Sequence, residues 1–288
     1  MFVKKSLETI KKICVCGAGT MGSGIAQIAA QNGFDVIQFD VNEAMLLKSK
    51  TSIENSLQKL ADKQKIRADQ QQEILQRIFF TSEKNNCIAD VIIEAVIEKK
   101  EIKQQLFDDL FVINNDKAIF TTNTSSISVL ELSENKNYAS RFAGMHFFNP
   151  AQIMKLVEII KTEKTSEEVI AILVDLAKQL QKTPVVCNDA PGFIVNRVAR
   201  HFYLEAMQLM EENIADTETI DAIMEASGFK MGPFKLMDLI GMDVNYSVSN
   251  IVWEALGKPK RLQPSSIQKN KVEANELGRK TGKGFYKY

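Results

Sequence analysis

The sequence predicts an α/β domain built on a mostly parallel sheet, followed by an all-helical C-terminal domain. Three observations predict it. Through about the first two thirds of the 288 residues, short β-branched or apolar runs alternate with longer amphipathic ones, the pattern of βαβ units. A glycine-rich turn joins the first apolar run to the first helical one. Beyond Pro191 the strand-like runs stop and apolar residues recur at helical spacing.

The strands are expected at 12–16 (KICVC), 35–39 (DVIQF), 90–95 (DVIIEA), 118–122 (AIFTT), 141–147 (RFAGMHF), 156–161 (LVEIIK) and 184–187 (PVVC). Helical patterns occupy 20–32, 42–60, 69–77, 99–110 and 166–181, the last opened by a capping box in which Thr165 faces Glu168. In the C-terminal part helical spacing runs over 193–212, 217–226 and 234–256. These patterns place one domain at 1–189 and a second at 190–288.

Hydrophobic residues are 45% of the chain and charged residues 25%, the balance of a soluble globular protein. Thirty-six basic residues offset thirty-six acidic ones, so no global field draws the chain to nucleic acid or to an anionic membrane. Any anionic ligand must be met by local groups. Cys14, Cys16, Cys87 and Cys187 form no C-x-x-C pair, and two histidines leave little from which to build a metal site. No metal is expected, and the thiols read as small core residues of a reducing compartment. The N-terminal MFVKKSLETIKK lacks the apolar stretch of a secretory signal. Residues 13–34 are uncharged, but five glycines with Thr20, Ser23, Gln27, Gln31 and Asn32 make a poor membrane span. The expected location is the cytoplasm.

Gly17-Ala18-Gly19-Thr20-Met21-Gly22 is a G-x-G-x-x-G that follows the first strand and opens the first helix. In that context the glycines allow a tight turn, close approach of a pyrophosphate and tight helix–strand packing. The amides of the helix N-terminus suit the anion. Asp40 closes the second strand, where a carboxylate can bind ribose hydroxyls and would repel a 2′-phosphate, and the following Val41-Asn42 offers no arginine. The reading is a Rossmann-type domain that binds NAD in preference to NADP.

His146 ends a strand of the same domain, beside Phe147 and Phe148. Alone it fits a hydrogen-bonded core histidine better than a general base. Two features make the second reading competitive. Residues 121–126, TTNTSS, end another strand in hydroxyls and an amide, and Glu158 lies in the apolar run LVEII. A carboxylate there is costly unless paired, and a histidine partner would gain a counter-charge for its imidazolium. The alternative is an edge strand with Glu158 in water. His201, in Arg200-His201-Phe202, has no polar company in the sequence and reads as structural.

Seven segments lie in order along the chain: GAGTMGSGIAQ, EAVIEKKEIKQQLF, NTSSI, RFAGMHFFNPAQIMKLVEII, APGFIVNR, MGPFKLMDLIG and GRKTGKGFYKY. Together they resemble the short-chain L-3-hydroxyacyl-CoA dehydrogenases, bacterial 3-hydroxybutyryl-CoA dehydrogenases included, over essentially the whole length. The resemblance implies that His146 is the catalytic base and Glu158 its acid partner. It implies that Ser125 and Asn196 hydrogen-bond the reacting C3 oxygen or the nicotinamide and thioester groups nearby. Glu98, Lys103, Asn149 and Lys280 match positions lining the cofactor, and Ser56 and Lys63 match positions touching CoA. The last two share a helix face in a segment that Lys48, Lys50, Lys59 and Lys65 make basic; a solvated lysine-rich helix reads equally well. The family also implies a homodimer through the C-terminal domain, with Phe202, Leu204, Leu209, Trp253 and Leu256 as apolar surplus.

Two other functions are weighed. The segment from Pro233 to Leu256, with RLQPSSIQ after it, resembles 3-hydroxyadipyl-CoA dehydrogenases of aromatic catabolism as much as the butyryl-CoA enzymes. A non-catalytic NAD-binding relative would have lost His146, Glu158 or Asn196, and all three are present.

Overall fold

The computed structural model describes residues 10–288; most of the N-terminal segment judged unlike a signal lies outside the described residues. The chain divides into two compact units, the first ending at Asp189 and the second running from Ala190 to Tyr288.

In the first unit the described elements run β1 (Lys12–Cys16), α1 (Thr20–Gln31), β2 (Asp35–Phe39), α2 (Glu43–Asp62), α3 (Ala68–Gln76), β3 (Ile78–Thr81), β4 (Val91–Glu94), α4 (Lys100–Ile113), β5 (Ile119–Thr122), α5 (Val129–Ser133), β6 (Phe142–Phe147), β7 (Leu156–Lys161), α6 (Glu167–Gln179) and β8 (Thr183–Asn188). The eight strands form one sheet in the order β3-β2-β1-β4-β5-β6-β7-β8. Every neighbouring pair is parallel except β6 with β7. Growth of the sheet reverses between β1 and β4, and ligands of open α/β sheets bind at the carboxyl ends of strands flanking such a reversal.

The central strands are apolar throughout because both faces are covered. Ile13, Val15, Val91, Ile93, Met145 and Val157 point into one core with α1 and α6. On the opposite face Phe107, Phe120, Tyr138 and Phe142 pack together, with Phe107 edge-on to Phe142 at 4.7 Å between ring centres. Each such ring contributes roughly 1.5–3 kcal/mol by leaving water.

Several expectations need correcting. The strand β3, from Arg77-Ile78-Phe79-Phe80-Thr81, was not foreseen; Phe79 is exposed, so the run lacks the burial of a central strand. The predicted capping box is absent: Ser166 caps α6 by accepting from Val169 N, while the Thr165 hydroxyl donates to Phe142 O. β7 is an interior strand, not an edge, and Glu158 on it is 1% exposed. The chain's uncharged stretch contains no membrane helix: among the described residues no helix is long and apolar enough to cross a bilayer.

The second unit comprises α7 (Val195–Glu211), α8 (Thr217–Ala226), α9 (Pro233–Ile240), α10 (Met242–Ala255) and α11 (Ser266–Glu273). The single helix expected over 234–256 is two, because Gly241 at φ 103° breaks the ladder between α9 and α10; α11 was not foreseen. Asp221 accepts from Phe234 N, Lys235 N and the Tyr286 hydroxyl, and Asp238 accepts from Phe285 N, Tyr286 N and the Tyr288 hydroxyl. Both carboxylates are buried. Much of MGPFKLMDLIG and GKGFYKY therefore serves to tie the tail to α8 and α9.

Candidate active site

The first turn of α1 begins at the glycine-rich loop. A Cβ on Gly17 would lie 2.4 Å from Ala95 O and one on Gly22 1.8 Å from Gly17 O, so protein packing alone demands glycine at both. Gly19 differs: a Cβ there would meet no protein atom within 4 Å. It borders a cleft of about 840 Å³, shared with Gly17, Thr20, Met21 and Asp40. Glycine at 19 leaves room for a ligand rather than for the protein, and this fits a dinucleotide pyrophosphate lying on the helix N-terminus. Ala18 and Gly22 are buried behind the turn.

Asp40 is held in place by the same loop. Its Oδ2 accepts from Ala18 N at 2.8 Å and its Oδ1 from Asn42 N at 2.9 Å. A carboxylate fixed at the rim of the cleft suits ribose hydroxyls and opposes a 2′-phosphate. Sequence reasoning missed the opposite wall, where Val96, Ile97, Ile102, Leu106 and the Lys84–Asp109 ion pair line the cleft. Val96, Ile97, Ile102 and Leu106 lie within EAVIEKKEIKQQLF, but that segment assigns a role only to Glu98 and Lys103, and the wall forms only where a loop and α4 meet Lys84 in the fold.

His146 lies at the carboxyl end of β6 and pairs in register with Glu158 on antiparallel β7. Its Nδ1 stands 2.8 Å from Glu158 Oε2, with His146 5% exposed and Glu158 1%. When Nδ1–H donates this hydrogen bond to the carboxylate, the basic lone pair of the neutral ring is on Nε2. Phe148 packs against the imidazole at 4.6 Å between ring centres.

Ser125 sits in the turn after β5. Glu98 organises that turn: it accepts from the Thr124 hydroxyl, from Ser125 N at 3.1 Å and from the Ser126 hydroxyl at 2.9 Å. Glu98 in turn pairs with Lys103 Nζ at 3.0 Å, and Lys103 also donates to Glu94 Oε1 at 2.6 Å. Lys103 is 1% exposed, so its ammonium lies beneath the turn. Burial pushes the Glu98 carboxyl up, but Lys103 and the hydroxyls outweigh it and hold the group below the ordinary range. For Glu94 burial prevails over Lys103 and Thr122, and its carboxyl is raised. Asn123 accepts from Phe147 N at 2.8 Å and so ties this turn to the end of the His146 strand. Asn149, three residues past His146, is exposed.

Ser56 lines a second cleft, of about 780 Å³, with Lys48, Ser52, Asn55 and Lys59 of α2 and with Gln152. Lys63 caps the C-terminus of α2 and is exposed. In the second unit Asn196 occupies the first turn of α7, and the exposed Lys280 pairs with Asp243 of α10. His201 is not a core residue: it is exposed on α7 and borders a surface hollow with Glu205, Gln208, Lys260 and Arg261. Among the described residues no cluster of His, Cys, Asp or Glu could hold a metal ion.

Known proteins match the chain along nearly its whole length. The model of the 3-hydroxyacyl-CoA dehydrogenase NAD binding domain matches residues 12–190, and that of the C-terminal domain of 3-hydroxyacyl-CoA dehydrogenase matches residues 192–288. A probable 3-hydroxybutyryl-CoA dehydrogenase of Deinococcus radiodurans is 42% identical over 279 residues, which cover 96% of this chain and 100% of that protein. A 3-hydroxyadipyl-CoA dehydrogenase of Escherichia coli is 39% identical over 96% of this chain and 59% of its own length. The crystal structure of a (S)-3-hydroxybutyryl-CoA dehydrogenase from Ralstonia eutropha superposes with a TM-score of 0.93 at 35% identity, covering 97% of this chain and 99% of that one.

Proposed function

The chain belongs to the 3-hydroxyacyl-CoA dehydrogenase family, and on that premise we propose which residues carry its chemistry and which acyl group it prefers. It is an NAD-dependent oxidoreductase that interconverts L-3-hydroxyacyl-CoA and 3-ketoacyl-CoA. We assign the proton transfer to His146 and the preferred substrate to 3-hydroxybutyryl-CoA. The observation that carries the role of His146 is the buried 2.8 Å contact between its Nδ1 and Glu158 at the carboxyl end of the sheet, and the acyl preference is supported by the likeness to 3-hydroxybutyryl-CoA dehydrogenases.

The glycine-rich loop and Asp40 would hold NAD⁺, which when bound would supply the acceptor for the hydride from the substrate's C3. His146 Nε2 takes the proton of the substrate's 3-hydroxyl, and Glu158 stabilises the imidazolium that results. In the reverse direction the same nitrogen returns the proton to the ketone oxygen. The hydroxyl of Ser125 orients that oxygen as a donor placed where charge develops, and Asn196, in the second unit, takes its substrate role from the family resemblance alone. Asn149 and Glu98 act on the cofactor side, Glu98 by shaping the Ser125 turn with Lys103 beneath it; Lys280, in the second unit, takes its cofactor role from the family resemblance alone. Ser56, with Lys48 and Lys59 in its cleft and Lys63 beyond it, offers hydroxyl and positive charge to CoA phosphates.

The competing substrate is 3-hydroxyadipyl-CoA, favoured by the 39% identity to an enzyme of that name. Turnover of acetoacetyl-CoA and of 3-ketoadipyl-CoA, each with NADH and with NADPH, tests all of this. Higher kcat/KM for the butyryl pair with NADH is expected. Higher values for adipyl or for NADPH reverse the acyl or the cofactor assignment, and no turnover with any pair ends the enzymatic reading.

The domains are proposed to divide the work at 189/190, the first for NAD and the second for substrate and self-association. A homodimer through the second unit accords with Val198, Ile223 and Phe229, each at least half exposed there. Sedimentation as a monomer would exclude it. A cytoplasmic location accords with four unpaired cysteines.

A further inference from the structure

The loop between β6 and β7, residues 148–155, joins His146 to Glu158 and carries Asn149 and Gln152. It is held from two sides. On one, Ala151 and Gln152 lie so close to α1 that a Cβ on Gly24 would be 3.1 Å from Ala151 Cβ and 2.8 Å from Gln152 Oε1. On the other stands Lys182, the residue before β8. Its ammonium donates to Ala151 O at 2.5 Å and to Met154 O at 2.8 Å, and it is 8% exposed. Among the described residues its ammonium has backbone carbonyls, and no carboxylate, as hydrogen-bond or ion-pair partners. Burying an ammonium against carbonyls alone is costly, and such a cost is kept where geometry matters.

The surroundings of Lys182 anchor it firmly. Its own N–H bonds Ala177 O at the end of α6, and the next residue, Thr183, bonds Lys155 O. β8 then pairs with β7, with Val185 opposite Glu158. One side chain thus couples the strand beside Glu158 to the loop that follows His146.

We propose that Lys182 is a positioning residue, whose ammonium clamps the 148–155 loop so that Asn149 and Gln152 stand in register with the His146–Glu158 pair. The assignment rests on the dehydrogenase reading for its kinetic consequence, but the clamp itself is independent of turnover. Burial, with Lys155 on the same loop, pulls the Lys182 ammonium down to about 8. The charged groups of the α6 end, Asp175 and Lys178, pair with each other. The clamp therefore weakens as pH rises through about 8.

The test compares wild type with Lys182→Met and Lys182→Arg, using acetoacetyl-CoA and NADH on both sides of pH 8, with hydrogen exchange of the 148–155 peptide alongside. In Lys182→Met the loop amides should exchange at least about tenfold faster, the acyl-CoA KM should rise at every pH as the wild-type KM does above pH 8, and kcat/KM should fall roughly ten- to a hundredfold, the scale of a misplaced group. Wild-type KM for the acyl-CoA should climb above pH 8, and Lys182→Arg, which keeps its charge there, should abolish that climb. Loop exchange and kinetics like wild type in Lys182→Met would overturn the proposal. Should that variant fail to fold, a wild-type KM and loop exchange that pass through pH 8 unchanged, once intrinsic exchange is divided out, overturn it equally. A wild type without turnover defeats the dehydrogenase reading, and the exchange arm alone then decides the clamp.

Discussion

His146 and Glu158 face each other across β6 and β7, and on the other side of β5 Lys103 lies between Glu94 and Glu98. Both centres bury charge near the carboxyl ends of the strands, yet they are built differently. Around Lys103 the carboxylate oxygens are engaged by the ammonium, the Thr122 hydroxyl, Val96 N and the Thr124–Ser126 turn. That centre binds α4, β4, β5 and a turn into one bracket. The His146 centre instead joins a carboxylate to an imidazole, a side chain whose ring nitrogens can accept or donate a proton. Buried charge alone does not mark chemistry, because a saturated network locks a shape while a pair with an exchangeable proton can act.

The sharpest way to break the comparison is to remove the saturated centre's cation. Lys103→Met leaves Glu94 and Glu98 without their partner, and breaking a buried pair costs about 3–5 kcal/mol. We expect that loss in denaturant unfolding of the variant. A variant as stable as wild type would mean that the bracket is not structural.

The reverse holds at the other centre. His146→Gln should lower kcat with acetoacetyl-CoA by at least about a hundredfold while the thermal midpoint and NADH affinity, read by fluorescence titration, stay near wild type. Turnover close to wild type would remove His146 from its role. Glu158→Gln keeps an acceptor for Nδ1 but removes the counter-charge of the imidazolium. A smaller fall of kcat is expected, about tenfold, since the ring stays oriented while its charge is less well met. A fall as deep as that of His146→Gln would show that orientation, not charge, was lost.

How legible these centres were in sequence follows from their construction. Glu158 was conspicuous because a carboxylate in LVEII must find a partner, and the antiparallel register of β6 and β7 supplies His146. The glycine-rich loop was legible because its function is local backbone geometry. Glu94 was passed over, although it too sits in an apolar run, because its partner comes from α4, nine residues on and in another element. Lys182 was invisible: its partners are backbone carbonyls, which no residue type announces. Ser166 displaced Thr165 as a cap because the Thr165 hydroxyl is spent on Phe142 O, a contact set by the sheet. What sequence reading missed was mostly tertiary pairing, and the short helices α5 and α11, whose patterns are too brief to stand out.

The smallest effect expected is also the one that separates the two carboxylates of the Lys103 centre. The Glu94 carboxyl is raised by burial, so between the ordinary glutamate value of about 4.3 and its own higher one the folded state binds more protons than the unfolded. Stability therefore falls as pH rises through that window. The Glu98 carboxyl is lowered, so its share is present above about 4.3 and is lost as pH falls through its own lower value. Together they give a local maximum in stability near the ordinary glutamate value. Glu94→Gln should flatten the decline on the alkaline side of that maximum and leave the acid side in place. The thermal midpoint followed against pH in both proteins reads this directly. An unchanged alkaline side would mean that Lys103 and Thr122 already hold Glu94 ionised as readily in the fold as in water.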